Sequence, residues 1–314
     1  MESIKLSFES VMPIFILMAL GYFIKKIKLA DKKSINVINK VIFKVFLPVL
    51  LFYNIYNTKT AEIFDIRLIV FTVIAVLVIF ILGYFAVLLL TKDNKKRGVM
   101  WQGFFRANYA ILGIPLVDYI CRGSSKGLAS LMVAVVIPVF NILAVIALEK
   151  FRGDGGKQSI SKLLKGIITN PLIIGSVLGI IAFIFKVKFP FVIEKAIKDV
   201  SSIATPLSIV VLGAVFEFSD IKGCLKENII VVLTRLVIVP LIIIPVAVLF
   251  GFTGEALACI LVIFGAPVAV SSFAMAQQMD GDETLAVQVI ATSSAFCLIT
   301  LFLWIFALNF LGLF

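Results

Sequence analysis

Hydrophobic residues in this chain come in long unbroken runs, separated by short stretches that hold most of the charge; 68–90 and 229–250 are the cleanest examples. A helix rises 1.5 Å per residue, so about 20 apolar residues cross the hydrocarbon core of a bilayer. Taken between charged breaks, the runs predict ten spans, near 7–25, 35–57, 67–91, 98–121, 127–149, 165–187, 196–218, 228–251, 255–278 and 284–312. No loop between them exceeds about 16 residues, too few for an inserted soluble domain. The pattern therefore predicts an all-α polytopic membrane protein whose function is built inside the helix bundle or at its mouths.

Composition agrees. Over 314 residues, 61% are hydrophobic and only 15% charged, where a soluble domain carries about 25% charged residues. Mean hydropathy is +1.15. Lys5 alone precedes the first run, while Lys25, Lys26 and Lys28 follow it, the arrangement of a retained first span and not of a cleaved signal.

The net charge of +11 lies mostly in the short loops, which points to membrane orientation and away from a nucleic-acid groove. Loops after the odd-numbered spans, together with the adjoining parts of the spans, hold 18 Lys and Arg, and the opposite side, counted in the same way, holds 9. The positive-inside rule makes the richer side cytoplasmic, so both termini are expected outside the cytoplasmic membrane; Lys186–Lys198 pulls the other way. There is no histidine, which excludes a histidine metal site or proton relay. Four cysteines (Cys121, Cys224, Cys259, Cys297) are scattered without a CxxC pair and read as small apolar residues. No cofactor and no metal are expected.

The prolines reveal a repeat. Pro13 to Pro48 is 35 residues, as is Pro171 to Pro206, and "PIFILMALG" (13–21) matches "PLIIGSVLG" (171–179) in the offset from Pro to Gly. Each series continues to a Gly-x-Pro, Gly113–Pro115 in the fourth span and Gly265–Pro267 in the ninth. The halves are thus 1–150 and 165–314, joined by a short cytoplasmic linker, 151–164, with five spans each. A unit with an odd number of spans re-enters the membrane from the opposite side, so the repeat is inverted, as in many secondary transporters. Proline removes a backbone donor and glycine tolerates an unwound chain. A matched pair of helix breaks in two halves is the sequence signature of a transport site.

"NYAILGIPL" (108–116), "GAPVAVSSFAMAQQ" (265–278), "FNILAVI" (140–146) and "ATSSAFCLITL" (291–301) resemble the auxin efflux carrier family, over essentially the whole chain. The resemblance implies the fold of sodium/proton antiporters and bile-acid symporters: a scaffold of spans 1, 2, 6 and 7, a transporter bundle of spans 3–5 and 8–10, and broken spans 4 and 9 crossing at the site. It implies export of organic acids as anions. Two departures from the plant members, a short central loop and Leu51 where those carriers often have serine, point away from auxin itself and towards dicarboxylates such as malate or malonate.

Candidate site residues are read from the breaks. Asn108 either donates to a carboxylate or caps freed backbone. Ser271 and Ser272 open the second half-helix, where free N–H groups and the positive dipole end favour an anion, or each bonds its own helix. Asn141, a lone amide in the fifth span, should face the interior for substrate contact or helix–helix bonding. Gly113, Pro115, Gly265 and Pro267 are assigned to the breaks that shape the site. Asp118 is a candidate proton carrier or the interfacial partner of Arg122. Arg106 is expected to snorkel to the cytoplasmic interface, with attraction of anions at the inner mouth as the alternative. Arg235 and Glu217 read as structural, and Gln277 and Gln278 as lining the inner vestibule or its interface.

The expected function is a secondary transporter exporting a small organic anion, auxin-like or a dicarboxylate, by alternating access around the 4/9 crossing. The alternative is a sodium- or proton-coupled symporter or antiporter of the same fold. An enzyme is not expected, since no HExxH, GxSxG or paired aspartates occur in the spans. The expected partners are the anion and membrane lipid, with no nucleic acid; a homodimer is compatible with the sequence.

Overall fold

The computed structural model describes residues 2–57, 65–121, 127–153, 160–217 and 223–314. Among these the secondary structure is helical, apart from one isolated bridge between extended residues. The helices are α1 (Glu2–Lys26), α2 (Lys32–Tyr56), α3 (Ile66–Leu90), α4 (Asn94–Phe105), α5 (Tyr109–Ile120), α6 (Leu128–Lys150), α7 (Ile160–Ile168), α8 (Pro171–Ile184), α9 (Phe191–Val215), α10 (Leu225–Leu249), α11 (Gly254–Gly265), α12 (Ser271–Gln278) and α13 (Glu283–Phe310). Among the described residues, six of them (α2, α3, α6, α9, α10 and α13) are long and apolar enough to cross a membrane, and α8 and α11 are shorter apolar helices. The predicted fourth and ninth spans each divide in two, α4 with α5 and α11 with α12.

Polar residues in the connections start these helices. Asp31, Asp65 and Asp282 accept hydrogen bonds from the backbone N–H of Ser34, Leu68 and Leu285 at 2.7, 3.1 and 2.9 Å. Asn170 does the same for Leu172, with Pro171 in the first helical position. Beyond their caps the long spans are apolar on nearly every face, so hydrophobicity alone cannot tell inside from outside. Position in the assembly does. Only 28% of the apolar window of α3 is buried, and Ile74, Leu82 and Leu89 point outward, whereas 72% of that of α6 is buried. In α11 every residue from 257 to 265 is buried.

Packing sorts the helices into two groups. In one, α1 lies along α9, α9 against α2, and α2 against α8; in the other, α3–α6 pack with α10–α13. The first group meets backbone to backbone. A Cβ on Gly21 of α1 would sit 1.8 Å from the Val210 carbonyl oxygen of α9, and one on Gly213 of α9 would sit 2.0 Å from that of Met18. At the matching place in α8, a Cβ on Gly179 would come within 2.9 Å of the Phe52 oxygen of α2. Only glycine permits such approach.

Two long helices contain one π-helical segment each, Ile42–Phe46 in α2 and Thr234–Ile238 in α10. In each, one residue separates the end of the segment from a proline, Leu47 before Pro48 and Val239 before Pro240. Leu47 and Val239 bond carbonyls five residues back, at Ile42 and Thr234. Widening the turn in this way accommodates a ring that would clash with the carbonyl four residues earlier.

The first break lies elsewhere than the sequence suggests. It falls at residues 106–108, and α5 runs through both Gly113 and Pro115. Gly113 is there for packing: a Cβ would lie 2.9 Å from ring carbons of Tyr109, one turn earlier. Pro115 is exposed on the helix and removes one ladder bond without ending it, as prolines in membrane helices often do.

The glycine contacts generate a prediction. Gly213→Leu forces α1 from α9 and is expected to destabilise the protein by about 3 kcal/mol, read as a lower melting temperature in detergent. Gly223→Ala, whose added Cβ meets nothing within 4 Å, should leave that temperature unchanged.

Candidate functional site at the crossing of two interrupted helices

The two interruptions touch. Ala107, in the first, and Val268, in the second (residues 266–270), form an antiparallel bridge, and the Asn108 N–H donates to the Pro267 carbonyl at 2.8 Å. Arg106 and Ala266, just past the ends of α4 and α11, both have extended backbone (φ −86°, ψ 110° and φ −70°, ψ 156°). The Val268 N–H donates to Ser293 Oγ of α13 at 3.2 Å. Each freed backbone group would otherwise cost several kcal/mol in an apolar interior.

Arg235 closes the other side of the crossing. It sits in the π segment of α10 and is fully buried. Its Nε donates to the Ala266 carbonyl at 2.9 Å, Nη1 to that of Phe105 at 3.1 Å, and Nη2 to that of Ile263. These carbonyls belong to the C-terminal ends of α4 and α11, the negative poles of both half-helices, where a cation is stabilising. One guanidinium thus serves two helix ends, in line with the structural role expected for this residue.

Arg106 corrects the sequence reading. It does not snorkel: it is 3% exposed and its guanidinium lies in the crossing. Nη2 donates to Asn141 Oδ1 at 2.6 Å and to Ser271 Oγ at 2.8 Å; Nη1 donates to Ser272 Oγ at 3.4 Å and contacts the Met275 sulfur. Asn141 is oriented for this task, because its amide nitrogen donates to the Ile137 carbonyl of its own helix at 2.9 Å. Gln102, one turn before Arg106, donates to the Ser272 carbonyl at 3.3 Å and ties α4 to α12. A break at Gly113–Pro115, seven residues later, leaves Arg106 inside the first half-helix, and from there the sequence predicts that it snorkels to the cytoplasmic interface. Its charge deep in an apolar run was the available signal.

A pocket of about 620 Å³, counted out to its open mouth, lies against the crossing. Arg106, Asn108, Asn141 and Ser271 line it, together with Thr205 and Ser208 of α9 and an apolar wall that includes Leu51 of α2 and Phe140 of α6. The side-chain nitrogen of Asn108 is buried and makes no hydrogen bond among the described residues, with the residue only 4% exposed. Of the residues assigned from sequence, Asn108, Asn141 and Ser271 meet at this pocket. Ser272 is buried behind it against Arg106. Pro267 forms part of the second break, and Gly265 ends α11 just before it. Asp118 is exposed near the end of α5, away from the pocket, and Arg122 lies outside the described residues. Gln277 accepts from Asn39 Nδ2 and donates to Asn36 Oδ1 at 3.1 Å and Glu283 Oε2 at 2.6 Å, joining α12 to α2 and α13.

Two crossing, interrupted helices held inside an apolar bundle define a multi-pass membrane protein of the transporter class. The chain belongs to the membrane transport protein family, whose model matches residues 6–305. A relative from Methanothermobacter thermautotrophicus (strain Delta H), described as an uncharacterized transporter, is 24% identical over 302 residues, covering 95% of this chain and 97% of its own. These matches extend over the region that carries the resemblance to the auxin efflux carriers.

Replacing Arg235 tests the architecture of the crossing. Arg235→Met leaves three buried carbonyls without their donor and should lower stability by about 3 kcal/mol or more. Arg235→Lys should recover only part of the loss, since one ammonium cannot reproduce the planar fork. Thermal unfolding in detergent reads both.

Proposed function

We propose that the protein is a secondary transporter exporting a small organic anion across the cytoplasmic membrane by alternating access about this crossing. The observation that carries the reading is Asn108: a buried amide donor without a partner among the described residues, at the first residue before α5, facing a pocket lined by both breaks. The N-terminal ends of α5 and α12 converge on that pocket, and the positive poles of helices favour an anion. In this reading the chain forms ten spans in two inverted five-span halves, 1–150 and 165–314, with both termini outside. The paired breaks support it, as do the matching glycine contacts of α1 with α9 and of α8 with α2. The first packing group would be the frame and the second the moving unit. An anion leaving a negative-inside cell gains about 2.3 kcal/mol per charge per 100 mV, so export needs no coupling ion.

Flux measurements test this. Proteoliposomes preloaded with labelled malonate, malate or phenylacetate should release at least one of them faster than protein-free vesicles, and faster still with a negative interior. Asn108→Ala should slow release by about tenfold, the loss of one hydrogen bond to a charged group. Pro267→Ala should slow it as well, by letting α11 continue through the crossing. Release unaffected by either substitution would remove the site assignment, and absence of release for every acid would remove the carrier reading.

A further inference from the structure

Two arginines are buried at the crossing, and their surroundings differ in kind. Arg235 directs its donors at carbonyls on the negative ends of α4 and α11. Arg106 sits at the opposite poles, beside the start of α12, and its partners are the uncharged oxygens of Asn141, Ser271 and Ser272 and the sulfur of Met275. Among the described residues no carboxylate pairs with it. Among the described residues it is also the one charged side chain lining the pocket. A buried cation without a counter-charge is strongly unfavourable in an apolar interior. Here the local fold offers dipoles but no anion.

We infer that Arg106 is the counter-ion of the cargo and that the cargo presents one carboxylate attached to an apolar body. The Arg106 guanidinium and the unpartnered nitrogen of Asn108, two residues apart in the same break, supply donors to that single carboxylate. The rest of the wall is mostly hydrocarbon, including Leu47, Leu51, Ile137 and Phe140, and its polar groups, Asn54, Thr205 and Ser208, are neutral. A second carboxylate would meet that wall with no second cation to receive it. This deepens the transporter reading and rests on it for the identity of the site, and it narrows the cargo away from the dicarboxylates expected from sequence.

Hexanoate and adipate, equal in carbon number and differing by one carboxylate, are the probes. Binding to the full-length protein in lipid nanodiscs is measured near neutral pH, by ligand-induced melting shifts and with labelled acids. The wild type should bind hexanoate at least about tenfold more tightly than adipate. Arg106→Gln should lose hexanoate binding by about tenfold or more while the empty protein melts at the same temperature or higher, because an uncompensated buried charge is gone. An arginine that only braced the fold would lower that temperature. Arg106→Lys should retain weakened binding. Leu51→Lys, or Leu50→Lys if the first fails to fold, should shift preference towards adipate. Adipate bound as well as hexanoate by the wild type, no binding of either acid, or unchanged binding by Arg106→Gln overturns the inference. Binding without vesicle flux would leave it standing and defeat the carrier reading; flux that ignores Arg106 would do the reverse.

Discussion

An interrupted helix in an apolar interior must find partners for the backbone groups it frees, and in this protein the guanidinium of Arg235 meets the hardest part of that demand. Carbonyls from the ends of two separate half-helices converge on one side chain. Because the two ends share a single cation, they are held together as well as satisfied. The bridge between Ala107 and Val268 then becomes available as the shortest link between the breaks. The π segment that turns Arg235 inward owes its place to Pro240, so a proline far from the breaks in sequence helps to make them tolerable.

This arrangement sorts charge. Negative helix ends are taken up on one side by Arg235, and positive ends are left on the other, where Arg106 adds to them. The polar side chains around Arg106 are all neutral, and two of these residues are anchored, Asn141 through its amide to its own helix and Ser272 through its backbone carbonyl to Gln102. The result is an electropositive recess whose donors are already aimed, walled mostly with hydrocarbon. Pre-aimed donors lose little freedom when an anion arrives, which is how a shallow set of contacts can still select charge.

Much of the architecture was legible in the chain. Runs of about 20 apolar residues fix helices that cross a membrane, and the spacing of Pro13, Pro48, Pro171 and Pro206 singles out the helices that later prove to be in glycine-to-backbone contact. The second break was legible because Gly265 directly precedes it and Pro267 lies within it. The first was misplaced because Gly113 and Pro115 copy the same spelling for other reasons, a tyrosine ring and an exposed helix face. Arg106 was misjudged in consequence. A single sequence gives residue types and spacing, but whether a deep arginine reaches water or an asparagine depends on which helices surround it.

The glycine seams of the first packing group have a mechanical consequence. Side chains between helices act as a compliant layer, since rotamers can change and contacts can slide past one another. Where Gly21 and Gly213 bring main chain against main chain, that layer is missing. The pair α1–α9 behaves as one stiff plate, with no cushion to absorb displacement. Any large motion of this molecule must then be taken up along the surface between the plate and the helices that carry the crossing.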